Sequence, residues 1–311
     1  MTINVQFSAR PDSWDYFREP LKTAFAGHGL NVALSRDHDP ASVEYVVYAP
    51  QSGPQMDFRI FPNLRAVLGL WAGVERIVNN ATLQVPLARM VDSGLQEGMV
   101  EWVTGHTLRY HLNMDAQITD QNGVWDRVYP PLARHRQIGI LGLGALGGAC
   151  ASALAALNFQ VTGWSRSQKT LDNIRCLSGR DGLDEVLKTS EILVLLLPLT
   201  ADTDRVIDAR ALALMPKGSH ILNPGRGALI DDDALIASLD SSHIAHATLD
   251  VFRVEPLPAD HFFWHHPKVT VTPHLASETR ADTAAAVIAD NIQRHEAGQK
   301  MKFLVNRKSG Y

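Results

Sequence analysis

One short run of the sequence has the residue types and spacing to hold a phosphate. Ile138-Gly139-Ile140-Leu141-Gly142-Leu143-Gly144-Ala145-Leu146-Gly147 places an apolar strand directly before Gly-x-Gly-x-x-Gly, and Ala149 to Leu157 beyond it is strongly helix-forming. Each glycine answers a physical need. Gly142 permits a tight turn, Gly144 lets backbone N–H groups approach a pyrophosphate at the helix N-terminus, and Gly147 allows close helix-to-strand packing. A glycine-rich turn alone can be only structural, but here a further strand candidate, Phe159 to Trp164, completes the βαβ unit that binds dinucleotides.

About 20 residues beyond such a loop an NAD-selective site carries Asp or Glu for the ribose 2′-hydroxyl. This chain has Trp164-Ser165-Arg166-Ser167 instead. No carboxylate stands there to repel a 2′-phosphate, Arg166 can pair with one, and Ser165 and Ser167 offer hydroxyls. NADP(H) is therefore the expected cofactor, with NAD(H) as the alternative. Arg166 and Lys169 read otherwise as ordinary solvated charges.

Three later segments put polar groups at or just past the carboxyl ends of strand candidates, where α/β sheets form their ligand crevice. They are Asn223-Pro224-Gly225-Arg226-Gly227, Asp250-Val251-Phe252-Arg253-Val254-Glu255-Pro256-Leu257-Pro258 and Thr272-Pro273-His274-Leu275-Ala276. Arg226 between two glycines suggests a backbone brought close to a ligand. His274 stands out among 13 histidines because it follows Pro273 at a strand end. His265 and His266 are adjacent and so point apart, with no Cys or carboxylate at ligand spacing, and no metal site is expected. Trp264 beside them is expected to pack.

The elements that must position these groups form two series. In the first third, Ile3 to Phe7, Tyr45 to Tyr48 and Leu64 to Leu70 read as strands, with a helix over Trp14 to Ala26. A long helical pattern runs from Gly98 to about Thr119. Asn122-Gly123 and Pro130-Pro131 then break the chain. Strand candidates resume at Ile138 to Leu141, Phe159 to Trp164, Glu191 to Leu197, Ser219 to Asn223, His246 to Val251 and Val269 to Thr272, and a last helix covers Thr279 to Gly298. The pattern reads as α/β, with a parallel sheet in the first series and the doubly wound order of a dinucleotide-binding domain in the second.

Bulk properties agree with an enzyme of this kind. At 311 residues the chain exceeds one ordinary core. Its net charge of -4 offers no concentrated basic surface for nucleic acid or an anionic membrane. Cys150 and Cys176 are too few for a disulfide framework, so a reducing compartment fits. The start MTINVQFSARPDSWDYF lacks signal-peptide character, and a cytoplasmic location is expected.

At the phosphate loop and the three strand-end segments the chain resembles the D-isomer-specific 2-hydroxyacid dehydrogenases, and within them the glyoxylate/hydroxypyruvate reductase A group. The resemblance runs through the loop Leu70-Trp71-Ala72-Gly73-Val74-Glu75 to the ending Arg307-Lys308-Ser309-Gly310-Tyr311. It implies an α/β fold of two doubly wound parallel-sheet domains, a Rossmann cofactor domain and a flavodoxin-like substrate domain. It also implies an Arg that binds the substrate carboxylate and carbonyl oxygen, a His general acid/base and a Glu that orients it, and these roles fall on Arg226, His274 and Glu255. It further implies cofactor contacts from Gly142, Gly144, Ala145, Leu146, Gly147, Ser165, Arg166, Ser167, Pro198, Thr203, Pro224, Gly225 and Asp250. Backbone N–H groups of Trp71, Ala72, Gly73 and Val74 would grip the carboxylate of a small 2-ketoacid, and Trp71 reads either as a cap on a small pocket or as a core aromatic.

Domain boundaries implied by the resemblance are 1–100 with 281–311 on the substrate side and 101–280 on the cofactor side, and a homodimer would form through the long helix. Ketone reduction leaves negative charge on oxygen, which calls for a proton donor of near-neutral pKa and a cation to polarise the carbonyl; His and Arg suit those needs. A rival from another class is a non-catalytic dinucleotide sensor. A rival within the class is an oxidative dehydrogenase acting on formate or phosphonate. Two features depart from the family pattern: Pro224-Gly225 stands before the Arg in place of a small-apolar pair, and Trp71 stands where many relatives have a small residue.

Overall fold

The computed structural model describes residues 2–50, 53, 55–119, 122–125, 127–307 and 310; of the ending cited above, Lys308, Ser309 and Tyr311 lie outside them. The chain forms two compact units, Met1–Leu95 with Glu278–Tyr311, and Gln96–Ser277.

The first unit is built on a five-stranded sheet of β1 (Ile3–Ser8), β2 (Val32–Ser35), β3 (Tyr45–Tyr48), β4 (Ala66–Gly69) and β5 (Leu87–Ala88) in the order β2-β1-β3-β4-β5. All its pairings are parallel. This is the flavodoxin-like order, whose crossovers must carry chain over the sheet faces. Helix α1 (Ser13–Gly27) packs against the last helix, α8 (Ala281–Glu296). In α8, Ala281, Ala284, Ala285, Ile288, Ala289 and Ile292 are buried, so an apolar stripe of helical period holds the C-terminal segment to this unit.

Helix α2 (Ser93–His111) carries the chain across the boundary between units, and α3 (Met114–Thr119) follows. The apolar periodicity predicts one continuous helix over 98–119; the structure divides it at Asn113, which has φ +50. Asn tolerates the left-handed conformation that closes a helix, and this break outweighs the continuing periodicity.

The second unit holds seven parallel strands: β6 (Gln137–Leu141), β7 (Gln160–Trp164), β8 (Arg175–Leu177), β9 (Ile192–Leu195), β10 (Ser219–Asn223), β11 (Ile244–Leu249) and β12 (Val269–Val271). Their order is β12-β11-β10-β9-β6-β7-β8, so the direction of winding reverses between β6 and β9. Helices α4 (Ala145–Ala156), α5 (Gly179–Thr189), α6 (Ala209–Leu214) and α7 (Asp232–Asp240) connect them. Strand β9 shows why central parallel strands read as unbroken apolar runs: Ile192 and Val194 enter the core under α4, while Leu193 and Leu195 enter the core under α5 and α6. Cys150 is buried in the first of these cores, and both cysteines are free. Among the described residues no helix is long and apolar enough to cross a membrane.

Candidate active site

The glycine loop lies directly after β6, at the point where the strand order reverses, the usual ligand position in an open α/β sheet. Gly142 has φ +106, and a Cβ there would stand 2.5 Å from the Leu196 carbonyl oxygen; a Cβ on Gly147 would stand 1.8 Å from the Gly142 carbonyl oxygen. Both positions therefore require glycine for the fold itself. Gly144 differs, because a Cβ there would meet nothing within 4 Å. Its missing side chain leaves open space at the first turn of α4, where the N–H groups of Ala145, Leu146 and Gly147 have no partner earlier in the helix. Donors with no acceptor among the described residues, at a helix N-terminus beside an open glycine, fit a pyrophosphate.

After β7, Trp164 donates from its indole N–H to the Gly179 carbonyl at 2.8 Å. Ser165 is buried, and its hydroxyl donates to the Ser167 carbonyl at 2.7 Å, closing a turn that leaves Arg166 exposed. Beyond β9, Thr203 donates to the Pro198 carbonyl at 2.7 Å and accepts from the Thr200 N–H at 2.8 Å, which folds 198–203 into a compact turn.

The ends of β10, β11 and β12 bring the three sequence-identified groups into one place. Asn223 is buried, accepts from the Gly225 N–H at 3.2 Å and donates to the Arg226 carbonyl at 3.0 Å, so one side chain shapes the turn that presents Arg226. A Cβ on Gly225 would stand 2.7 Å from the Leu195 carbonyl oxygen, which accounts for glycine before the arginine. Arg226 Nη1 donates to the Gly225 carbonyl at 2.6 Å. A Cβ on Gly227 would fall 2.1 Å from the Phe252 carbonyl carbon, so the Arg226 turn and the loop after β11 are in backbone contact.

Within that loop Glu255 accepts from the Phe252 N–H at 2.9 Å with one oxygen, and with the other stands 2.7 Å from His274 Nδ1. Burial opposes ionisation of Glu255, but its hydrogen bonds from His274 and Phe252 and the charges of His274 and Arg226 outweigh it and hold the carboxyl below its ordinary value. The bond to Glu255 raises the His274 pKa; burial and the Arg226 charge oppose the rise without cancelling it. Nδ1 is thereby engaged, and Nε2 is the ring nitrogen left to face a ligand.

His274 has φ +52, a conformation that costs a non-glycine residue of order 1 kcal/mol or more. Asp250 holds it there. The Asp250 carbonyl accepts from the His274 N–H at 2.8 Å, and its buried carboxylate accepts from Thr272 Oγ1 at 2.6 Å, the Leu275 N–H at 2.9 Å and the Ala276 N–H at 3.0 Å. The family resemblance implies a cofactor contact at Asp250; its bracing of the His274 loop, and the part of Asn223, depend on bonds between separate strand ends that residue types alone do not reveal.

In the first unit, Trp71 to Val74 follows β4 at the carboxyl end of its sheet. Trp71 is 38% exposed, which settles its two readings against a core aromatic. It lines a small apolar pocket with Tyr48, Pro50, Gly73 and Leu87. Among the described residues the N–H groups of Trp71, Ala72, Gly73 and Val74 donate to no protein acceptor. Trp264, expected to pack, is 43% exposed instead and is tethered by its indole N–H to the Pro258 carbonyl at 2.9 Å.

A doubly wound sheet with a phosphate-ready loop at its reversal point, and an imidazole paired to a carboxylate beside an arginine, defines a nicotinamide-dependent dehydrogenase. Residues 104–276 match the family described as D-isomer specific 2-hydroxyacid dehydrogenase, NAD binding domain. The chain is 36% identical over 283 residues to a glyoxylate/hydroxypyruvate reductase A of Yersinia enterocolitica, a match covering 88% of this chain and 89% of that protein. Two crystal structures are similar over the whole chain. One is a D-isomer specific 2-hydroxyacid dehydrogenase from Xanthobacter autotrophicus in complex with NADPH and MES, at 38% identity and TM-score 0.91, covering 99% of each chain. The other is an NADPH-dependent glyoxylate/hydroxypyruvate reductase from Sinorhizobium meliloti in complex with NADP and sulfate, at 30% identity and TM-score 0.85, covering 100% of this chain and 99% of that one. The chain belongs to the D-isomer specific 2-hydroxyacid dehydrogenase family.

Proposed function

We propose that this chain reduces short 2-ketoacids, glyoxylate and hydroxypyruvate foremost, to 2-hydroxyacids with NADPH. The observation that carries the proposal is the 2.7 Å pair of His274 and Glu255 beside the charge of Arg226. The relatives named glyoxylate/hydroxypyruvate reductase, and the bound NADPH and NADP of the two similar structures, support the substrate and cofactor.

NADPH supplies the hydride when bound. Gly144 and the N–H groups of Ala145, Leu146 and Gly147 suit its pyrophosphate, Arg166 and the Ser165–Ser167 turn its 2′-phosphate, and Pro198, Thr203, Pro224, Gly225 and Asp250 the nicotinamide half. Arg226 holds the substrate carboxylate with its planar fork and stabilises charge as it develops on the ketone oxygen. His274, protonated through its bond to Glu255, gives the Nε2 proton to that oxygen. The resulting neutral imidazole takes a proton back from solvent, to which the ring is half exposed. Glu255 keeps the imidazole oriented and favours its charged form.

On this reading the unit 96–277 is the cofactor domain and the unit 1–95 with 278–311 is the substrate-side domain. The unpaired N–H groups of Trp71–Val74 suit a carboxylate, and the Trp71 indole restricts the adjoining pocket to short side chains. A homodimer and a cytoplasmic location belong to the same proposal. Trp125 is 91% exposed and Val124, Val128, Tyr129 and Leu132 are also exposed, an apolar segment of a kind that a second copy of the chain would cover.

NADPH oxidation followed by absorbance with glyoxylate, hydroxypyruvate and pyruvate, with NADH in parallel, tests the proposal. Turnover of the short ketoacids with NADPH supports it. Binding of both cofactors without reduction of any ketoacid would replace it with the sensor reading.

A further inference from the structure

We infer that Arg253 is a positioning residue that fixes the Arg226 turn against the loop carrying Glu255; the inference rests on the proposed roles of those residues. Arg253 lies two positions before Glu255, and no requirement of a strand or a turn calls for arginine there. Its guanidinium nevertheless leaves its own loop and spans two others. Nη2 donates to the Ile230 carbonyl at 2.7 Å and the Ala228 carbonyl at 3.2 Å, both in the segment that follows Arg226. Nη1 stands 3.4 Å from Asp204, in the turn after Thr203, and Nε stands 3.8 Å from Asp232 at the start of α7.

These bonds complement the contact at Gly227. There the backbones of the Arg226 turn and of Phe252 meet without an intervening side chain, a contact that resists compression but does little to prevent separation. Arg253 supplies the tie, since a planar fork can bond two carbonyls and face two carboxylates at once, which lysine cannot do. The same loop's Phe252 N–H holds one Glu255 oxygen. Releasing Arg253 therefore loosens Glu255 relative to both His274 and Arg226. With its side chain only 30% exposed, the tie is also less screened than a surface ion pair.

The test compares wild type with R253A, R253K and E255Q, reading kcat and ketoacid KM against pH, NADPH affinity by fluorescence, and thermal stability. R253A is expected to lower kcat by roughly ten- to a hundredfold. It should also move the alkaline limb of the kcat profile to lower pH, in the direction given by E255Q. R253K should show an intermediate shift, and guanidinium ion added to R253A should restore part of the activity. If R253A loses activity only in proportion to its folded fraction, with a wild-type pH profile and no restoration, the positioning role is overturned. Should R253A not fold, a wild-type profile in R253K overturns it equally. If E255Q itself leaves the pH profile unmoved, the His274–Glu255 reading fails, and the role of Arg253 fails with it; an E255Q shift with unaltered Arg253 variants refutes the inference alone.

Discussion

His274 Nδ1 stands 2.7 Å from a Glu255 oxygen whose partner oxygen is already held by the Phe252 N–H. Among the described residues each carboxylate oxygen thus has one donor, and the imidazole is oriented by a group that is itself fixed. The bond raises the His274 pKa, so the protonated form persists to higher pH than for an ordinary histidine. Ketoacid reduction, which consumes that proton, should fall as pH rises through this raised pKa. Glu255→Gln removes the charge, and the alkaline limb of kcat should move to lower pH, so that turnover at alkaline pH drops well below that of the wild type. An unmoved limb in this variant would remove Glu255 from the pair.

Arg166 stands exposed on the turn that Ser165 closes. Arg166→Asp places a carboxylate where a 2′-phosphate would lie and suits a 2′-hydroxyl instead. The ratio of kcat/KM for NADPH over NADH should fall by about tenfold or more, the worth of one charge-assisted bond. Equal ratios in variant and wild type would refute the 2′-phosphate assignment.

Gly144 and Gly147 separate the two uses of glycine in one loop. Because a side chain at position 144 meets open space, Gly144→Val should retain a near-native melting temperature while weakening NADPH binding by about tenfold or more. Gly147→Val drives a side chain into the Gly142 carbonyl and should disrupt folding itself. Isothermal titration and calorimetry distinguish them; full NADPH affinity in Gly144→Val would contradict the proposed cradle.

His220 and His246 lie side by side on β10 and β11, with the Tyr110 ring stacked at 4.3 Å on His220 and tilted at 5.6 Å to His246. Burial is the main cause pushing each to about 4. A histidine whose folded pKa is depressed stabilises the fold fully above its unfolded value near 6.5 and loses that contribution as pH falls toward 4. The melting temperature should therefore decline across this window. His220→Asn and His246→Asn should flatten the decline while lowering stability near pH 7, and an unchanged slope in both would contradict the assignment.

Central strands and the phosphate loop were legible because both carry local signals. Ser219–Asn223 and Tyr45–Tyr48 coincide with their sequence-derived bounds, each centred on a buried apolar pair, Ile221-Leu222 and Val46-Val47. Strands β2, β5 and β8 are not marked in the sequence: VALS, LA and RCL lie at sheet edges and carry no run of β-branched or aromatic residues such as YVVY in β3 or VTV in β12. At the site, Arg226, Glu255 and His274 were visible as polar groups at strand ends. Their supports were not. Asn223, the bracing carboxylate of Asp250 and the reach of Arg253 depend on which strand ends become neighbours, and sheet order settles that only after folding.

The most direct test of the account is the turnover of His274→Gln with saturating NADPH and glyoxylate, alongside its NADPH dissociation constant. Loss of the general acid should lower kcat by roughly 10²- to 10⁴-fold while cofactor affinity stays near that of the wild type. Turnover near the wild-type rate in a variant that still binds NADPH would contradict the assignment of His274 as proton donor.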